Sequence, residues 1–169
     1  MSSETRYLLY FGGFWLVLIG GATWFFGGIT ESQRNPNQAP TTEMVNGVQS
    51  MELEANRQGH YVAGGTINGA DVTFILDTGA TRVTVSDAIA QRAGLERESR
   101  GRARTAAGTV TVWSTTIPEL RLGDMRFRNV PGTISPSMDA DMALLGMTAL
   151  GQVDFSQENG VLTLRRAGP

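Results

Sequence analysis

The stretch Val72-Thr-Phe-Ile-Leu-Asp77-Thr78-Gly79-Ala80-Thr81 runs an apolar strand into a carboxylate, followed at once by a hydroxyl and a glycine. An acid at the end of a buried run is costly unless its charge is hydrogen-bonded or shared. Gly79 allows the backbone to turn back so that amide N–H groups can face Asp77. Thr78 offers a hydroxyl that can bond beneath the acid or across an interface. This order of residue types suits a carboxylate held rigidly for acid–base work. It equally suits an ordinary Asx-turn at the end of a strand.

The remaining composition narrows the chemistry. All 14 basic residues are Arg, Lys and Cys are absent, and His60 is the only histidine. A P-loop lysine and a Schiff base are therefore excluded, as are a thiol nucleophile, a disulfide and a thiolate zinc site. A Ser-His-Asp triad would have to pass through His60, which has no paired nucleophile motif and reads as a strand-edge residue. An aspartyl-phosphate loop would want a Lys and further carboxylates for Mg²⁺. Asp139 and Asp141 read as a surface loop, since two carboxylates alone do not make a metal site. Neither a metal nor a cofactor is expected. A net charge of -2 and a pI of about 5.4 argue against a nucleic-acid partner. Arg97, Arg100, Arg102 and Arg104 could face an anionic surface or membrane headgroups, but read more simply as a solvated loop.

Stepping outward from the acid, the elements that must hold it follow a period of two rather than 3.6. Residues 60–67, Asn68-Gly69 and 70–76 read as a hairpin with Val72, Phe74 and Leu76 on one face. A short strand over 82–85 leads to Ser86, which caps a helix through Ala93 with Gly94 just past its end. Residues 109–117 form a β-branched strand. Leu120 and Leu122, then Gly123-Asp124, then Met125 and Phe127 make a second hairpin, with Arg126 and Arg128 outward. Residues 153–155 and 161–164 pair around Asn159-Gly160. Short strands at regular spacing indicate a small β-barrel or sandwich.

Ahead of these strands the chain changes character. After a short tail, residues 1–7, the segment 8–29 holds 22 residues without a charge. As a helix it would be about 33 Å long, enough to cross a hydrocarbon core of about 30 Å. It is too long for a signal-peptide core and has no A-x-A cleavage site after it. It reads as a transmembrane anchor. Residues 30–57 begin with a polar, proline-containing stretch and read as a linker, open to cleavage in trans, leaving 58–169 as the folded domain.

Two further motifs accompany the acid. Leu144-Leu145-Gly146-Met147 closes an apolar run downstream, and between it and Asp77 lies a small-residue turn, Thr105-Ala106-Ala107-Gly108, before a long strand. With D-T-G-A-T, these residues resemble the retropepsin-like aspartic proteases, in particular a membrane-anchored bacterial branch. The resemblance covers residues 58–166 and the anchor. It implies an all-β, single-lobed closed barrel with one or two short helices, behind an N-terminal transmembrane helix. Asp77, Thr78 and Gly79 would be the catalytic triplet. Ala80 and a flap at Ala106, Ala107 and Gly108 would contact substrate, and Leu144, Leu145 and Gly146 would support the active-site loop. The implied activity is peptide-bond hydrolysis on an extended protein segment, without cofactor. The implied location is a bacterial inner membrane, single-pass, with the domain in the periplasm.

The chain holds one D-T-G, and none of its other aspartates sits in such a setting, so the second acid would come from a second copy in a C₂ homodimer. Ala80 stands where acid-adapted two-lobed relatives usually have Ser; without that hydroxyl donor, activity is expected at weakly acidic pH. Arg82 and Met147 differ from the residues that viral members carry there, so the dimer contacts and subsites of those enzymes do not transfer. The alternative is a catalytically silent, membrane-tethered module of the same fold that binds peptides or dimerises.

Overall fold

The structure, a computed structural model, describes residues 15, 18–20, 33–105 and 108–167. Residues 35–169 form one compact unit and residues 1–34 another. In the latter, Trp15, residues 18–20 and residues 33–34 are helical. The tail 1–7 and most of the anchor expected over 8–29 lie outside the described residues. Among the described residues, no helix is long and apolar enough to cross a membrane.

The larger unit is all-β with two short helices. Its strands are β1 (Glu43–Val45), β2 (Val48–Glu54), β3 (Val62–Ile67), β4 (Ala70–Leu76), β5 (Val83–Val85), β6 (Arg100–Thr105), β7 (Gly108–Leu122), β8 (Met125–Ile134), β9 (Met142–Leu145), β10 (Asp154–Glu158) and β11 (Val161–Ala167). Helix α1 (Asp87–Arg92) follows β5, capped by Ser86, whose Oγ accepts from the Ile89 N–H. Helix α2 (Met147–Leu150) follows β9.

Six strands close a barrel in the order β3-β4-β9-β5-β8-β7, with β7 returning to pair with β3, and β6 extends the sheet beyond β7. Closure brings backbones close: a Cβ on Gly65 would collide with the Arg121 carbonyl and the Phe74 ring. Most ladders are antiparallel, but β4–β9 and β5–β8 are parallel. Phe74, Ile117, Leu120, Leu122, Met125, Phe127, Ile134 and Leu145 fill the interior. The alternation of apolar and polar residues expected across Gly123 holds, with Met125 and Phe127 buried and Arg126 and Arg128 exposed.

A second sheet, β1-β2-β11-β10, lies outside the barrel order. It corrects the linker reading of residues 30–57. Met51 and Leu53 of β2 are buried in the core, and β2 pairs along its whole length with β11, over a hundred residues later in the chain. Asn37 is held as firmly: its amide donates to the carbonyls of Glu54 and Val62, and its Oδ1 accepts from the Glu54 N–H. The turn Asn46-Gly47 between β1 and β2 repeats the conformation of Asn68-Gly69 and Asn159-Gly160, each with positive φ at both positions. That is the turn whose twist matches paired antiparallel strands.

Candidate active site

Asp77 leaves the end of β4 between two strands that fix its backbone. Leu76 pairs with Leu145 of β9, and the Asp77 N–H donates to the Leu145 carbonyl at 3.2 Å. The chain then folds back. Gly79 N–H donates to Asp77 Oδ1 at 2.8 Å, and Ala80 N–H donates to the Asp77 carbonyl at 3.2 Å. A carboxylate that accepts a backbone N–H is both oriented and partly compensated for leaving water. Asp77 is half-buried, while Thr78 and Gly79 are exposed.

The far side of the loop is bound to the segment after β9. Met147 N–H donates to the Ala80 carbonyl at 2.8 Å and Thr148 N–H to the Thr81 carbonyl at 3.1 Å. Thr148 Oγ1 accepts from Val83 N–H at 3.0 Å and donates to the Pro131 carbonyl at 2.8 Å. Gly146 lies where the two segments touch. A Cβ there would fall 2.6 Å from the Ala80 carbonyl oxygen and would also strike the carbonyl of Arg82. Leu145 and Gly146 thus sit directly against the loop that carries Asp77, while Leu144 pairs with Ile75 of β4 and Thr84 of β5.

A cavity of about 300 Å³ opens beside the acid. Tyr61, Leu76, Asp77 and Thr78 line it together with Leu150, Phe155, Gln157 and Leu162. Phe155 and Gln157 come from β10 in the terminal sheet, and Phe155 is 42% exposed. Sequence reasoning missed these two residues. Their strand was visible, but nothing local says that a C-terminal hairpin returns to the acid.

The other expected positions are spread more widely. Ala80 is half-buried within the loop. Ala106 and Ala107 lie outside the described residues. Gly108 starts β7 with φ +117, and Thr105 Oγ1 donates to its carbonyl at 2.9 Å. Gly108 therefore stands at the base of the turn between β6 and β7. The arginine-rich stretch read as a loop is strand β6, paired with β7 from Arg100↔Trp113 to Thr105↔Gly108. Arg97 does not belong to that strand. Its guanidinium sits 4.2 Å over Trp113 and 2.8 Å from Asp87. Asp141 pairs with Arg92 on the surface, and among the described residues no group of three or more His, Cys, Asp or Glu could hold a metal ion. His60 is exposed beside β3.

Comparison with known proteins agrees with this geometry. The profile of the family described as "gag-polyprotein putative aspartyl protease" matches residues 63–152. The crystal structure of a retropepsin-like aspartic protease from Rickettsia conorii is similar, with a TM-score of 0.59 and 26% identity, covering 76% of this chain and 95% of that one. An uncharacterized protein in the cobV 5′ region of Sinorhizobium sp is 26% identical over 125 residues, 72% of this chain. The match spans 54% of that relative's length.

Proposed function

The chain belongs to the gag-polyprotein aspartyl protease family and has a retropepsin-like barrel, and from that premise we propose that it is an aspartic endopeptidase active as a homodimer on extended protein segments. The observation that carries this reading is the single Asp77, fixed by Gly79 and Leu145 at the mouth of a cavity. One rigid carboxylate can remove a proton from water, but it cannot at the same time donate one to a carbonyl. Two copies related by a two-fold axis supply both roles.

Two carboxylates about 3 Å apart do not both ionise, so they hold one proton between them. The ionised Asp77 takes a proton from a water lying between the pair, and the water oxygen adds to the peptide carbonyl carbon. The protonated Asp77 of the second copy hydrogen-bonds the carbonyl oxygen and supports the charge that develops there. Transfer of a proton to the peptide nitrogen then breaks the C–N bond, releasing an acid and an amine. In such a dimer Thr78, exposed next to the acid, would meet its counterpart near the axis. Residues 8–29 would tether the enzyme in a bacterial inner membrane, with the domain in the periplasm.

Cleavage profiling of a peptide library tests the chemistry. Asp77→Asn keeps the side-chain shape and removes the shared proton, and is expected to lower kcat/KM by roughly a thousandfold or more with little change in melting temperature. Activity against pH should be a bell within the weakly acidic range whose limbs belong to the pair. Cleavage that survives the substitution, or an optimum near pH 2, rejects the reading. Wild-type chain that sediments as a dimer and binds peptides without cutting them would instead be the silent module.

A further inference from the structure

The hairpin of β6 and β7 carries a feature that hydrolysis does not use. Arg100, Arg102 and Arg104 alternate along β6 and are exposed. Side chains two apart share one face of a strand, so the three guanidinium groups form a row about 13 Å long. The residues paired across from them are Trp113, Thr111 and Thr109, none of them acidic. Among the described residues the ion pairs engage Arg92, Arg97, Arg121 and Arg126, and none involves these three. Gly101, Ala103 and Thr105 fill the opposite face, paired with the apolar Val112 and Val110 and with Gly108.

The backbone of the same three residues is also open. β6 ends the strand order, with β7 as its only neighbour. Ser114 N–H donates to the Ser99 carbonyl at 2.8 Å. In an antiparallel ladder the residues that bond inward alternate, so Ser99, Gly101, Ala103 and Thr105 face β7. Arg100, Arg102 and Arg104 therefore turn their own N–H and C=O groups outward. Each presents a free peptide edge and a free positive charge together.

We propose that this edge is a docking strip for an extended segment of the polypeptide substrate with carboxylates at alternate positions. An added strand would bond to the outward N–H and C=O groups, and its same-face side chains would lie directly opposite the arginines, where opposite charges attract. A lipid or phosphate surface would satisfy the charges but leave the peptide edge unmet. A second copy of β6 would set arginine against arginine, which is unfavourable. The choice of substrate as occupant rests on the endopeptidase reading.

The test uses the full-length chain carrying Asp77→Asn, so that peptides are bound and not cut. A labelled peptide with Glu at alternate positions is compared with its Gln counterpart. The Glu peptide is expected to bind about tenfold tighter, an advantage that shrinks in about 0.5 M salt. The triple variant R100Q/R102Q/R104Q should abolish the advantage, and R100E/R102E/R104E should transfer it to a Lys peptide. In the chain that retains Asp77, joining the Glu segment to a cleavable sequence should lower KM about tenfold and leave kcat unchanged. Equal binding of the Glu and Gln peptides, or an advantage indifferent to the arginines, overturns the proposal. So does an unchanged KM in a chain that cuts, or tighter arginine-dependent binding of dihexanoylphosphatidylserine. A Glu preference that depends on the arginines, in a wild-type chain that cuts no peptide, supports the strip and sinks the endopeptidase reading instead.

Discussion

The loop that carries Asp77 and the hairpin of β6 and β7 are built on opposite principles. The loop is held from both sides: β9 takes the Asp77 N–H, the segment after Gly146 takes the Ala80 and Thr81 carbonyls, and Thr148 bonds both Val83 and Pro131. The hairpin is held from one end. β8 stops at Ile134, opposite Trp113, so beyond that point β7 has only β6 beside it. In the proposed dimer Asp77 would have to be placed against its counterpart with a precision of about half an ångström, and converging backbone bonds suit that. A flap of the kind the family resemblance implies here would have to open at low cost, and few buried contacts would permit it.

Substitutions in the two regions should therefore differ in scale. The largest effect is expected for Gly146→Ala, because both carbonyls that the new methyl meets belong to backbone and cannot swing aside. A loss of roughly 3 kcal/mol in urea unfolding is expected, together with loss of cleavage as the Asp77 loop shifts. A variant as stable as wild type would show the loop to be looser than its contacts imply. Thr148→Val keeps the volume but leaves the Val83 N–H and Pro131 carbonyl without their partner, and should cost roughly 1–3 kcal/mol by the same measurement. Val110→Ala, in the part of β7 that only β6 supports, should cost less than roughly 1 kcal/mol. Hydrogen exchange would sharpen the contrast: the amides of Asp77, Met147 and Thr148 should be far better protected than those of Arg100, Arg102 and Arg104.

The smallest effect is expected at Glu119. Its hydrogen bond to Arg121 holds its carboxyl below the usual range; partial burial opposes this, and the charges of Arg121, Arg126 and Arg128 add to it. A lowered carboxyl contributes stability above its ordinary titration range and loses it as pH falls through the lowered value. Glu119→Gln should thus reduce the melting temperature slightly at neutral pH and leave it unchanged in strong acid. The effect is small because the side chain is only half-buried and the pairing is screened by solvent. A larger drop in acid than at neutrality would contradict this origin.

Local signals predicted the elements whose causes are local. Asn68-Gly69 and Asn159-Gly160 take the positive φ values their hairpins require, and Ser86 caps α1 through Ile89 as its type and position imply. Asn46-Gly47 carried the same signal between residues 44–45 and 48, yet the polar composition around it argued for a linker. The strand there depends on β11, which supplies the partner that Met51 and Leu53 need to be buried. β6 was unreadable for a related reason. Arg100 to Thr105 has no apolar alternation, and it is a strand because β7 offers it an edge.

The sequence by itself pointed to carboxylate chemistry, put the acid at the end of an apolar strand, and set Gly79 where the backbone must turn back towards it. These are matters of residue type and short spacing, which covalent geometry and local sterics decide. Only the tertiary structure brought β9 against β4, set Phe155 and Gln157 in the lining of the same cavity as Asp77, and turned the three β6 arginines outward along an open edge. Such contacts join residues far apart in the chain, and they exist only once barrel closure has repaid the entropy of bringing those segments together.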